Sequence, residues 1–150
     1  MSKQATVKKR GEVTPLQVLG SEIRFLCEGE RTNHVWSLME CAVPRDVGPP
    51  PHHHAWDEAY YVIEGQVKFT LEGRELVLGP GEFMHIPGGV VHGFSGVSDT
   101  TARLLIFDAP AHAEGFFVET AREVQAMPRD LPKVPVIGER HGIHFLPPPH

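Results

Sequence analysis

Polar and apolar positions alternate one by one through much of the first two thirds of the chain. Ile23, Phe25 and Cys27 share one phase of "EIRFLCEG", alternate positions from Val35 to Val43 do the same in "VWSLMECAV", and Val67, Phe69 and Leu71 do so in "QVKFTLEG". Successive side chains of a strand point to opposite faces, so each segment predicts a strand with one buried face. The shorter runs "ELVL", "EFMHIP", "VVHGF" and "TARLLIF" are set apart by the turn signals "EGR", "GPG", "PGG" and "SGVSD". Residues 21 to 107 therefore predict short strands in close succession. Half-buried strands need an opposing apolar face, which an antiparallel sandwich or barrel supplies.

The period changes after "FDAP". In "HAEGFFVETAREVQAM" the residues Phe116, Phe117, Thr120, Ala121 and Val124 fall at helical spacing with Glu and Arg between them, which predicts an amphipathic helix. The Pro-rich link "MPRDLPKVP" leads to a second short helix around "VIGERHG", stopped by Gly142, and then to the tail "IHFLPPPH".

A chain of 150 residues is the size of one domain and buries a core without disulfides or a structural metal. A single domain over 1–150 is expected, with a strand core at about 21–108 and the helix and tail at about 109–150. Hydrophobic content of 41% and charged content of 22% exclude a disordered chain. The net charge of -5, with Lys and Arg scattered, offers no positive face for phosphates, so nucleic acid is not an expected partner. Neither a membrane span nor a signal peptide is predicted, because no long apolar run occurs and "MSKQATVKKRGEV" has none after its basic residues; a cytoplasmic location is the default expectation. Cys27 and Cys41 lack C-x-x-C spacing and predict small buried apolar residues.

The chemistry lies in "PPPHHHAWDEAYYVIEG". On a strand, residues i and i+2 face the same way about 6.5 to 7 Å apart, so His52 and His54 project together and His53 points away. Two imidazoles converging on one point suit a metal, and Glu58 adds an anionic oxygen if "AWD" turns the chain back. An alternative uses His53 with Glu58, but it leaves Pro51 at the place of the second histidine. An internal run of three histidines has neither the length nor the position of a purification tag.

A second segment, "GEFMHIPGGVVHGF", places Gly81, Pro87, Gly89 and His92 in strand, turn, strand order. Together the two segments resemble the paired motifs of the cupin superfamily. The first match reads His52-x-His54, three residues, Glu58, six residues, Gly65; the second reads Gly81, five residues, Pro87-x-Gly89, two residues, His92. The resemblance covers about residues 35 to 108. Two positions depart from the family pattern: Asp46 stands where a glycine is usual and Gly96 where an asparagine is usual, and neither is a ligand position.

What the resemblance implies is an all-β antiparallel barrel or jelly roll, here followed by a C-terminal helix, with His52, His54, Glu58 and His92 holding one divalent transition metal. Imidazole and carboxylate ligation suits Fe(II), Mn(II), Ni(II), Co(II), Cu(II) or Zn(II), and leaves positions open for a chelating substrate or dioxygen. Tyr60 and Val62, in step with Glu58, together with Phe69 and Phe94, are the candidate pocket side chains. Such a pocket would take a flat or apolar small molecule with vicinal oxygens. Within the family "PHHHAWDEAYYVIEGQVKF" is similar to the quercetin dioxygenase-like group, which implies Glu58 as general base in an oxygenase. Two alternatives stay open: a redox-neutral isomerase, cyclase or lyase, and a non-catalytic binder of a small molecule or metal. Cupins commonly pair through their sheets, so a homodimer is the implied assembly. His85 is assigned a surface role or one behind the ligands, while His34, His112, His141, His144 and His150 are expected to face solvent.

Overall fold

The computed structural model describes residues 4–147, so the expectation for His150 falls outside them. In chain order the strands are β1 (Leu16–Val18), β2 (Ser21–Cys27), β3 (Ser37–Val43), β4 (His52–His53), β5 (Asp57–Glu64), β6 (Val67–Leu71), β7 (Arg74–Leu78), β8 (Phe83–Ile86), β9 (His92–Gly96) and β10 (Ala102–Ala109). Helices α1 (Glu114–Glu123) and α2 (Lys133–Arg140) follow, and β11 (His144–Phe145) ends the series. The strands form two antiparallel sheets, β1-β2-β3-β10-β5-β8 and β11-β4-β9-β6-β7.

Alternation decides which side chains meet between the sheets. On β3, Met39, Cys41 and Val43 are buried, and on β10 the matching phase is Ala102, Leu104, Ile106 and Asp108. On β5 the buried phase is Glu58, Tyr60 and Val62. Two acidic residues thus take inward positions, and the β5–β10 register sets Asp108 directly opposite Glu58.

The two departures from the family pattern have local causes. Asp46 has φ of 63°, a left-handed conformation that Asp tolerates better than most residues. At Gly96 a Cβ would come 2.5 Å from the Pro44 carbonyl oxygen, so an asparagine there would force the chain apart. The β6–β7 hairpin turns on Glu72 and Gly73, both at positive φ, as a two-residue hairpin requires.

Several expectations need correction. β3 begins at Ser37, and Val35 is exposed in the preceding turn. α2 begins at Lys133, inside the stretch read as a link, because Pro135 falls in the first helical turn, where its missing N–H has no intrahelical partner to lose. Cys41 is buried but Cys27 is half-buried. His141 and His144 are half-buried rather than solvent-facing: His141 Nε2 lies 3.4 Å from Glu119 and His144 Nδ1 2.9 Å from Glu139. His85 is exposed beside Asp57, while His34 and His112 are exposed.

α1 turns Phe116 and Thr120 inward, and Phe117 meets Phe25 of β2 edge-on at 6.4 Å between ring centres. Glu114, in its first turn, accepts a hydrogen bond from the Gly29 backbone N–H and complements the positive end of the helix. None of the described helices is long and apolar enough to cross a membrane.

Candidate metal centre

The strand pair β4–β9 sets His52 opposite His92, and the turn after β4 carries His54 to the same side. β5 then brings Glu58 up from the other sheet. One ligand atom from each of His52, His54, Glu58 and His92 lies within 4.8 Å of the other three, and all four residues are buried. His53 takes the opposite face of β4, where its ring lies 5.1 Å from that of His144.

Each imidazole is oriented by a backbone carbonyl two residues away. Nδ1 of His52 donates to Pro50 O at 2.8 Å, Nδ1 of His54 to Trp56 O at 3.0 Å, and Nδ1 of His92 to Val90 O at 2.9 Å. With Nδ1 carrying the hydrogen, the Nε2 lone pair of each neutral ring points into the cluster. There it meets an anion: His92 Nε2 is 3.1 Å from Glu58 Oε1 and His54 Nε2 3.6 Å from Glu58 Oε2. Lone pair against carboxylate is repulsive unless a proton or a metal cation lies between. His54 Nε2 is buried with no hydrogen-bond partner, which is the condition of a donor atom awaiting a cation. The donor set fits a divalent transition metal on both counts.

The electrostatics favour a neutral His52 and an ionised Glu58, while His92 is pulled the other way. Burial, helped by neighbouring His92, pushes His52 down to about 4, so its ring is neutral at pH 7. Burial opposes ionisation of Glu58, but the neighbouring Asp108, His54 and His92 outweigh it and hold the carboxyl well below the usual range. Asp108 moves the other way: burial and the adjacent Glu58 charge push it well above the usual range. For His92, burial lowers the affinity for a proton but Glu58 more than restores it. Tyr60 donates its hydroxyl hydrogen to Glu58 Oε1, and burial together with that anion pushes the phenol up.

Trp56 was not singled out by the spacing, yet it braces this centre. Its ring stacks on His54 at 4.2 Å and 8°, its carbonyl fixes His54, and its Nε1 donates to Asp108 Oδ1 at 3.0 Å. Asp108 could have been found from the sequence as the one acidic residue in the buried phase of "TARLLIFDAP".

A cavity of about 60 Å³ opens beside the cluster. His52, His54, Glu58, Tyr60 and Phe94 line it. Phe69 does not line it: the ring is fully buried behind Tyr60 and Phe94, at 5.1 and 5.8 Å between ring centres. Val62, also fully buried, belongs to the core rather than the lining. Phe116, Phe117, Ile143 and Phe145 from the C-terminal segment close the cavity from above, and Val18 and Leu19 from the β1–β2 hairpin close its side. No sequence pattern had connected these residues to the histidines.

Residues 38–108 match the family described as the cupin domain, a span that contains all four cluster residues. These residues form a cupin domain. Along most of its length this cupin is similar to the polyketide synthase CurC of Streptomyces cyaneus, with 25% identity over 133 residues that cover 87% of this chain and 86% of that one. It also resembles the structure of the polyketide cyclase RemF from Streptomyces resistomycificus, with a TM-score of 0.64 and 28% identity, covering 71% of this chain and 80% of that one. A shorter stretch of 72 residues, 47% of this cupin, is 34% identical to quercetin 2,3-dioxygenase of Bacillus subtilis (strain 168). The match spans about a fifth of the dioxygenase's own length, 21%.

Proposed function

We propose that this cupin is a metal-dependent enzyme that moves a proton on a small, apolar, enolisable substrate with chelating oxygens, in a redox-neutral reaction of the cyclase type. One observation carries the reading: Glu58, a buried carboxylate held anionic, lines the same apolar cavity as His52 and His54 and clusters with them and His92. A divalent ion, when bound, supplies Lewis acidity that makes an enol or a hydrogen next to a carbonyl more acidic. His52, His54, Glu58 and His92 would hold it.

Glu58 is the general base in this reading. Tyr60 anchors Oε1, which leaves Oε2 to accept a proton from the substrate and return it to a second carbon or oxygen. The backbone bonds to the three Nδ1 atoms keep the imidazoles from turning as the charge at Glu58 changes. Trp56, Phe94 and Ile106 keep water away from the anion formed on the substrate.

The likeness to the polyketide cyclase RemF supports the cyclase class over others, and the likeness to the polyketide synthase CurC extends past the cupin domain. An alignment covering 87% of the chain necessarily runs beyond residue 108 and takes in α1, which roofs the cavity. A dioxygenase is the second reading, favoured by the 34% identity of a shorter stretch to the quercetin enzyme. Incubation of Zn(II)- and Fe(II)-loaded protein with a linear aromatic 1,3-diketone, with and without oxygen, separates the two. Conversion is expected to persist without oxygen and with Zn(II), and Glu58→Gln to lower kcat by about a hundredfold or more. Oxygen uptake matching product, and none formed anaerobically, overturns the cyclase reading in favour of the dioxygenase.

A further inference from the structure

The cavity and the substrate class do not match in size. A volume of about 60 Å³ holds a few water molecules, whereas sites for drug-sized ligands are about 300–1,000 Å³. A substrate with even one aromatic ring therefore needs part of the wall to move.

The walls differ in how firmly they are held. β5 and β10 pair over seven residues, from Arg103 to Ala109, and β6 and β9 over five. β11 is held to β4 by only two residue pairs, His144 with His53 and Phe145 with His52, extended by a hydrogen bond from Leu146 N to Pro51 O at 3.1 Å. Segments with so few backbone bonds open at far lower cost than central strands. Yet β11 holds a controlling position: Phe145 lies 5.3 Å from the His52 ring and 5.8 Å from Phe116, so it links the metal cluster to α1.

We propose that the β4–β11 clasp is the substrate gate of this cupin, and that Phe116, Phe117 and Phe145, which it holds over the cluster, are its specificity-determining residues, selecting flat aromatic chelators. The inference rests on the reading of the cluster as a metal site. Release of β11 lifts Phe145 off His52 and enlarges the cavity upward, towards α1. A substrate bound through two oxygens at the cluster then sets its ring against the phenylalanines, and the clasp re-forms over it. Small anions fit the closed cavity and do not need the gate.

A reversible crosslink tests this. Directly opposed residues of an antiparallel pair lie about 4.5–5.5 Å apart at Cα, inside the range of about 4.4–6.8 Å that a disulfide spans. His53→Cys with His144→Cys, in a Cys27→Ser background, can thus lock the clasp when oxidised. The protein is loaded with Co(II), and its visible absorption follows the binding of azide, a small anion, and of 2,3-dihydroxynaphthalene, a flat chelator. In the oxidised protein the naphthalene should bind about tenfold more slowly or worse, with azide unchanged and both rates restored by a phosphine reductant. Phe145→Ala, which needs no crosslink, should speed the naphthalene and leave azide alone. Equal naphthalene rates in locked and reduced protein, no acceleration in Phe145→Ala, or a reduced protein that takes azide but never the naphthalene, each overturn the gate. Failure to take up Co(II) in the wild type instead overturns the metal site itself.

Discussion

His52, His54 and Glu58 come from seven consecutive residues, and His92 is brought to them by direct strand pairing. The roof and side of the same cavity draw Val18, Phe116, Ile143 and Phe145 from three places: the first strand, α1 and the segment of the last strand. The floor is polar and its orientation is set by hydrogen bonds over a separation of two residues; the roof is apolar and held by packing between distant segments. One therefore expects the floor to respond to the loss of single atoms and the roof to the loss of volume. Chemistry that must not drift is built on the sheets, and the part that must yield to a substrate is built on a late, lightly paired segment.

The strongest break in the comparison is removal of a ligand. His54→Ala or His92→Ala should abolish stoichiometric metal binding, a loss of more than about a hundredfold in affinity, since even residues that only support ligands cost 10–100-fold. Metal analysis after dialysis checks this. His53→Ala should retain the ion, because His53 faces away from the cluster; metal loss in that variant would require a different ligand set.

Next is the loss of roof volume. Phe116 is buried between α1 and β11, and Phe116→Ala should destabilise the protein by about 3–5 kcal/mol, lowering Tm by about 10 °C. Metal content should stay near that of wild type if floor and roof are as separate as the packing suggests. Trp56→Phe falls between the regions. It keeps a ring to stack on His54 but removes the donor to buried Asp108, which should cost about 1–3 kcal/mol and weaken metal binding by about tenfold. Parallel denaturation and metal titration distinguish this joint loss from the single losses of the other variants.

The same contrast explains what was legible in the sequence. The strands and the two histidine segments follow from local rules: a period of two, turn residues, and ligand spacing within one stretch. Asp108 carried a readable signal, an acid in a buried phase, whose partner only the β5–β10 register reveals. Phe145 carried none. It lies in a strand of two residues, too short for alternation to show, and its partner His52 is far away in the chain. Phe69 illustrates the opposite limit: parity correctly turned it inward, but inward is not the same as lining, and depth behind Tyr60 depends on side-chain packing that no periodicity encodes. α2 could be read only in part because Pro135 marks both links and first helical turns.

The smallest expected effect concerns a polar anchor behind the roof. Asp130, in the connector between α1 and α2, accepts hydrogen bonds from Gln125 N at 3.2 Å and Ala126 N at 3.0 Å and pairs with Arg129 and Lys133. The Arg129 bond and then the Ala126 N–H hold its carboxyl well below the usual range. A depressed folded-state value means that the stabilisation is complete above the unfolded value of about 4 and is lost as pH falls through the folded one. Asp130→Asn keeps an acceptor oxygen but not the charge. The stability gap between wild type and variant should therefore be constant from neutrality to about pH 4 and close below it, measured as urea midpoints on metal-free protein so that the cluster's own titration is common to both. A gap that ignores acid would show that the carboxylate's charge adds nothing at this connector, and that the roof, like its phenylalanines, is held by packing alone.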